Sequence, residues 1–297
     1  MVGILVTGGM GFIGHKTIKE LLKCGYEIFS IDNFSTNVVN EIKGVKNYRS
    51  NLLDYKLLKE ITKNVKYVFH FAAQTKVPIS LNRPFHDFKV NVQSTLNLIE
   101  ACRVNDVERI IFSSTAAVYG NFGKEGIKEY DVKCPINPYG VSKLAAENYL
   151  RIYYEIYGLE TIILRYFNVY GLEKTNNVIG IFKSKVQRNE QIVIYGDGNQ
   201  QRDFIYINDV INANLLAIKK GHPGEAYNIG TGKSTTINEL KNLILQVSKK
   251  QLKTKYHPMR MGETRGSVAD ISKSTKELAY TPQYSIKDGL IDIIKAK

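Results

Sequence analysis

The feature that most restricts this chain is at its start, where a strand, a glycine turn and a helix follow one another. Ile4-Leu5-Val6 is a short apolar run leading into Thr7-Gly8-Gly9-Met10-Gly11-Phe12-Ile13-Gly14, after which Ile13, Ile18, Leu21 and Leu22 recur at helical spacing. Glycines let the backbone turn tightly and approach a ligand, and the helix N-terminus offers free N–H groups and the positive end of its dipole. Such a turn suits a pyrophosphate. The run satisfies Gly9-x-Gly11-x-x-Gly14 and Gly8-x-x-Gly11-x-x-Gly14 at once, and spacing alone does not choose between the two dinucleotide-binding subfamilies. Asp32 ends the second strand, 18 residues after Gly14, where a carboxylate can accept from both ribose hydroxyls. It would repel a 2′-phosphate and no arginine follows nearby, which favours NAD over NADP. Asn51 to Asp54, after the third strand, lie where polar groups can reach an adenine.

Further apolar runs at Glu27 to Ile31, Tyr67 to Phe71, Arg109 to Phe112 and Thr161 to Leu164 alternate with helix-like stretches. Runs apolar on both faces indicate a buried parallel sheet, and strict strand–helix alternation gives a doubly wound α/β layer. The reading is a Rossmann-type domain over 1–167 and a smaller α/β substrate domain over 168–297, where loops lengthen and turns such as Tyr195-Gly196-Asp197-Gly198 appear. Of the 297 residues 43% are hydrophobic, enough for a sizeable core. The net charge of +13 favours anionic partners without naming one. Cys24, Cys102 and Cys134 lack Cys-x-x-Cys spacing, so the expected compartment is the reducing cytoplasm. The five histidines form no ligand pattern, so no protein-bound metal is expected. The uncharged run Val2 to Gly14 falls short of a membrane span.

Tyr139 sits four residues before Lys143, and Tyr55 sits four residues before Lys59. That spacing puts each pair on one helical face, but with 19 tyrosines and 41 basic residues about two or three such pairs arise by chance. Position selects Tyr139, which follows a Pro138 helix start next to the strand bearing Ser113-Ser114-Thr115. A free tyrosine titrates near 10, so acting as a base at neutral pH requires about 4 kcal/mol of stabilisation. A cation about 5 Å away supplies about 3 kcal/mol at an effective dielectric near 20, leaving Lys143 a little short. An oxidised nicotinamide adds a second positive charge, and Thr115 is placed to hold a reacting hydroxyl beside Tyr139.

Taken in order, Thr7 to Gly14, Asp32-Asn33, His70-Phe71-Ala72-Ala73-Gln74, Asn91, Ser113 to Gly120, Pro138 to Lys143, Leu164 to Gly171, Gly196 to Asp209 and Tyr227 to Gly230 resemble the extended short-chain dehydrogenase/reductase family, in its NAD-dependent nucleotide-sugar epimerase/dehydratase branch. The resemblance implies a bound NAD, a catalytic Thr115, Tyr139 and Lys143, and a nucleoside-diphosphate-sugar substrate. Around the cofactor it implies Gly8, Gly11, Phe12, Ile13 and Gly14, then Asp32, Asn33, Ser35, Thr36, Asn51 and Leu52. Phe71, Ala72, Ala73, Gln74, Asn91, Ser113 and Tyr166 are implied as cofactor-binding too, together with Tyr139 and Lys143. For the substrate it implies Asn168, Arg202 and Arg260 at the diphosphate, Val193 and Tyr195 beside the base, and Lys76. Arginines are the fork-shaped partners of phosphate. The family's chain returns to the first domain around 204–230, and its members pair as homodimers through helices near 91–103 and 139–157.

Dehydrating relatives resemble Thr-Asp-Glu-Val-Tyr-Gly where this chain reads Thr115-Ala116-Ala117-Val118-Tyr119-Gly120, and decarboxylating ones keep a glutamate. Without that acid, elimination of water is disfavoured. What remains is removal and return of a hydride, which implies epimerisation at C4 of a UDP-hexose: glucose and galactose or their N-acetyl forms. The alternatives are a 4-ketoreductase, a UDP-glucuronate decarboxylase, or a non-catalytic relative that binds RNA; since tyrosine and lysine are both kept, no nucleic acid is expected. Three departures stand out: His15-Lys16 after the glycine turn, Asn37 where glycine is common, and Gly171-Leu172-Glu173 without the usual proline.

Overall fold

The computed structural model describes residues 2–36, 42–121, 126–173, 176–262 and 264–295, so Asn37 lies outside the described residues. The chain runs β1 (Gly3–Thr7), α1 (Phe12–Lys23), β2 (Glu27–Asp32), β3 (Lys46–Arg49), α2 (Tyr55–Thr62), β4 (Tyr67–His70), α3 (Val77–Asn82), α4 (Pro84–Phe88), a π-turn over Lys89–Gln93, α5 (Ser94–Val104), β5 (Arg109–Thr115), α6 (Pro138–Tyr157) and β6 (Glu160–Tyr166). It continues as β7 (Asn168–Tyr170), α7 (Val178–Gln187), β8 (Ile192–Tyr195), β9 (Gln201–Arg202), β10 (Phe204–Tyr206), α8 (Ile207–Lys220), β11 (Ala226–Ile229), β12 (Thr235–Thr236), α9 (Ile237–Ser248), β13 (Thr254–His257), α10 (Ser272–Leu278) and α11 (Ile286–Lys295). Among the described residues no helix is long and apolar enough to cross a membrane.

Seven strands form one sheet in the order β11-β6-β5-β4-β1-β2-β3. Every pairing in it is parallel. The alternation of side chains along a strand explains why these runs are apolar throughout: Ile4 and Val6 of β1 face one core while Leu5 faces the other. The same split separates Ile111 from Ile110 and Phe112 on β5. Helices α1 and α8 pack together on one side, and α2, α5 and α6 on the other. β3 is the strand that apolar patterning does not announce, because Lys46-Asn47-Tyr48-Arg49 lies at the sheet edge, paired with β2 alone and half solvated. After β6 the chain adds three two-stranded pairings, β7 with β10, β8 with β13 and β9 with β12, while α8 and β11, which fall between β10 and β12 in sequence, rejoin the sheet layers.

Strand order reverses at β1, whose neighbours β2 and β4 lead the chain to opposite edges, so a crevice opens beyond the carboxyl ends of these strands. The glycine turn forms its floor. Gly8 has φ +68°, a conformation unfavourable for L side chains, and a Cβ on Gly14 would stand 2.2 Å from the Gly8 carbonyl oxygen. Replacing Gly14→Ala therefore forces the turn and α1 apart, with an expected loss of about 1–3 kcal/mol. Calorimetric melting reads it directly, and an unchanged Tm would mean that the turn does not pack this closely.

Candidate active site

A cavity of about 500 Å³ occupies that crevice, a size suited to a small organic ligand. Its walls follow the strand ends in turn: Gly8 after β1, Asp32 and Asn33 at β2, Asn51 and Leu52 after β3, Phe71, Ala72 and Ala73 after β4, Ser113 and Thr115 of β5, and Tyr166 of β6. Gly11, Phe12, Ile13 and Gly14 supply the start of α1, while Ser35, Thr36 and Lys76 come from loops. Tyr139 and Lys143 enter from α6. Tyr55 and Lys59 are not among its walls; Lys59 instead lies over the Tyr55 ring on α2.

At one end the first turn of α1 has neither a side-chain cap nor an acidic residue, which leaves its N–H groups and dipole to an anion. Asp32 braces the turn by accepting from the backbone N–H of Met10 at 2.9 Å and of Phe34 at 2.7 Å. Each oxygen keeps a second lone pair for a ribose hydroxyl. Close glycine backbone, a helix start without a side-chain cap and this carboxylate together fit the ribose and diphosphate of a dinucleotide.

The other end depends on α6. Asn137 accepts from the Gly140 N–H at 2.9 Å, Pro138 presets the first turn, and Gly158 ends the helix with φ +71°, so its sequence marks both limits. Tyr139 hydrogen-bonds Thr115, whose hydroxyl also accepts from the Ala117 N–H. Lys143 is buried, with its ammonium 4.1 Å from the centre of the Phe112 ring. Sequence treats this lysine as a fixed cation, and the fold corrects that: burial pulls it down to about 7, against the opposing pull of Glu147 and Asp87. Loss of solvent pushes the Tyr139 phenol up to about 12, opposed by Thr115 and reinforced by Asp87. Titrating it at neutral pH then requires about 7 kcal/mol, more than the sequence alone implies.

Two residues expected at the cofactor lie behind the wall. Asn91 and Gln74 bond each other, the Gln74 N–H to Asn91 Oδ1 at 2.9 Å and Asn91 Nδ2 to the Gln74 carbonyl at 3.0 Å, and both donate to buried Asp87. The cavity is faced instead by Val90 and Ser94, about one turn apart on the same helical segment. Of the expected substrate group, Asn168, Val193, Tyr195, Arg202 and Arg260 are likewise absent from these walls. They gather nearby in two sets. Val193 and Tyr195 share the solvated side of β8, where the Arg260 guanidinium lies 3.7 Å from the centre of the Tyr195 ring. Asn168 and Arg202 flank Asp203, whose carbonyl accepts from the Asn168 N–H at 2.9 Å. Sequence reasoning passed over Ile31, Ser50, Thr75, Phe167 and Val169, which line the cavity beside residues it named, so adjacency was the available signal. It gave no site role to Glu173 and Asn176, which also line the cavity and adjoin none of those residues. Among the described wall residues the carboxylates are Asp32 and Glu173, and neither adjoins Thr115 in sequence.

Burying Lys143 has a pH signature. Below pH 7 both folded and unfolded chains carry its proton and the full cost of a buried ammonium is present, about 5 kcal/mol. From pH 7 to about 10 the unfolded chain keeps a proton that the folded one has released, so stability rises. Lys143→Met is expected to melt higher than the parent at pH 6, with the gap narrowing by pH 9. A gap independent of pH would show the lysine to be solvated.

Comparison with known proteins agrees with this geometry. The profile of the NAD dependent epimerase/dehydratase family matches residues 4–230. A putative UDP-glucose 4-epimerase of Methanocaldococcus jannaschii is 37% identical over 98% of this chain and 97% of its own. Among solved structures, a UDP-glucose 4-epimerase of Thermotoga maritima with UDP-glucose superposes with a TM-score of 0.96 at 37% identity, covering 99% of this chain and 98% of that one. A Thermus thermophilus UDP-glucose 4-epimerase in complex with NAD gives 0.93 at 34% identity, covering 99% and 98%. With the profile spanning the whole sheet and the glycine turn at its centre, the chain belongs to the NAD dependent epimerase/dehydratase family.

Proposed function

We propose that this protein is an NAD-dependent isomerase that inverts C4 of a UDP-hexose, glucose/galactose or the N-acetyl forms, through a 4-keto sugar. The observation that carries the reading is the placing of Thr115, Tyr139 and Lys143 at one end of a cavity whose other end suits a dinucleotide, with no acid beside Thr115 to drive elimination. Held by the first turn of α1 and Asp32, NAD would supply a hydride acceptor and donor for C4, so that oxidation and re-reduction of the sugar would leave no net redox change. The protein moves the proton. Tyr139 accepts it from the C4 hydroxyl and gives it back, Thr115 holds that hydroxyl in line, and Lys143 stabilises the phenolate. The first turn of α1 holds the diphosphate of NAD and Asp32 its adenosine ribose. Val193, Tyr195, Arg202, Arg260 and Asn168 hold the uridine diphosphate, in a substrate region formed mainly by 168–203 and 231–297.

The same reading makes the protein a cytoplasmic homodimer. Val141, Tyr149 and Ile156 recur along one side of α6 with their side chains exposed, an apolar stripe suited to a second copy. Sedimentation velocity reads that state.

Proton NMR of the protein with UDP-galactose, UDP-N-acetylgalactosamine and UDP-glucuronate in separate tubes, without reductant, tests the reaction. A C4 epimer is expected to appear in at least one tube. Tyr139→Phe should retain NAD while its rate falls by about 10²–10⁴-fold. NAD-loaded protein that leaves every sugar unchanged would end the uridine-sugar reading, and loss of carbon dioxide from the uronate would replace it with decarboxylation.

A further inference from the structure

Two of the segments at which this chain departs from its family's usual pattern, His15-Lys16 and Gly171-Leu172-Glu173, meet at one edge of the cavity. Lys16 of α1 and Glu173, three residues beyond β7, form an ion pair at 3.0 Å with side chains 28% and 34% exposed. Glu173 is part of the cavity wall, as are Gly11, Phe12, Ile13 and Gly14 at the start of α1. Its second oxygen, Oε2, is buried without a hydrogen-bond partner, so the carboxylate is balanced through Oε1. The neighbouring His15 adds no positive charge at neutral pH: burial first, then Lys19, hold its imidazole below the ordinary value. A carboxylate on the wall of an anion site opposes a diphosphate, and an ammonium beside it would attract one. Joined to each other, the two nearly cancel.

We infer that the Lys16–Glu173 pair sets how tightly this protein holds the diphosphate of its dinucleotide, Glu173 withholding from the ligand the charge that Lys16 would otherwise supply. The inference rests on the NAD-binding reading above and adds to it two affinity-setting residues outside the glycine turn. It has a sign that a simple tether between α1 and the chain after β7 does not share. Removing the lysine leaves an uncompensated carboxylate and weakens binding. Removing the carboxylate charge frees the lysine and strengthens it.

Calorimetric titration of NAD into the parent protein, Lys16→Met, Glu173→Gln and the double variant separates these cases. Lys16→Met is expected to raise Kd by about three- to fivefold and Glu173→Gln to lower it by a similar factor, as for other part-exposed charges. The double variant should return to within about twofold of the parent, and all differences should shrink in 1 M salt. If both single variants weaken binding alike and the double is no better, the pair is only a tether and the inference is wrong. A parent protein that takes up no NAD would instead overturn the cofactor reading itself.

Discussion

Glu147 and Arg165 meet inside the interface between α6 and the sheet, both buried, and the placing of the reactive groups depends on that meeting. The guanidinium gives Glu147 three hydrogen bonds, at 3.0, 3.2 and 2.7 Å. Ser114, the neighbour of Thr115 on β5, adds its hydroxyl to the same carboxylate. Arg165 precedes Tyr166 on β6 and also donates to the Tyr119 hydroxyl and the Glu129 carbonyl. Either charge alone would cost several kcal/mol to bury, so α6 cannot slide along the sheet without exposing that cost. Tyr139, Lys143 and Glu147 stand four residues apart on one side of α6, so fixing the third fixes the register of the other two.

A second buried polar group stiffens the loop after β4. Asp87 receives Gln74 and Asn91, and Asn91 also reaches Ser142 at 3.1 Å on the first turns of α6. Every bond made here is one that water would otherwise make, so the network adds little net stability but leaves few alternative arrangements. It also brings a carboxylate near Tyr139 and Lys143, which favours the protonated forms of both. The reactive end is therefore costly to fold: a lysine and a phenol are deprived of solvent, and the sheet's apolar layers offset that cost.

The cofactor end is built differently. It uses backbone, glycine turn and helix dipole, and its side-chain contribution is largely Asp32 tying β2 to the turn. The charges at its edge, Lys16 and Glu173 among them, are separate from the groups that shape the turn.

Much of this was legible in the residues. Strands apolar on both faces required a covered parallel sheet, Gly8 to Gly14 required a turn at its centre, and Pro138 marked the start of the helix that carries Tyr139 and Lys143 beside the strand bearing Thr115, so the sequence itself preferred Tyr139 to Tyr55. These are local demands, set by the pleat, by φ and by helix ends. Tertiary structure decided what sequence spacing does not encode: the edge strand Lys46–Arg49, formed because β2 offers it a partner, and the rotation that turns Asn91 away from the cavity and Val90 and Ser94 towards it. It also decided the solvent around Lys143, and hence its proton, and the meeting of Lys16 with Glu173 across 157 residues of chain. Local chemistry sets which elements form; burial and charge pairing depend on neighbours distant in the chain, and only the packed fold chooses them.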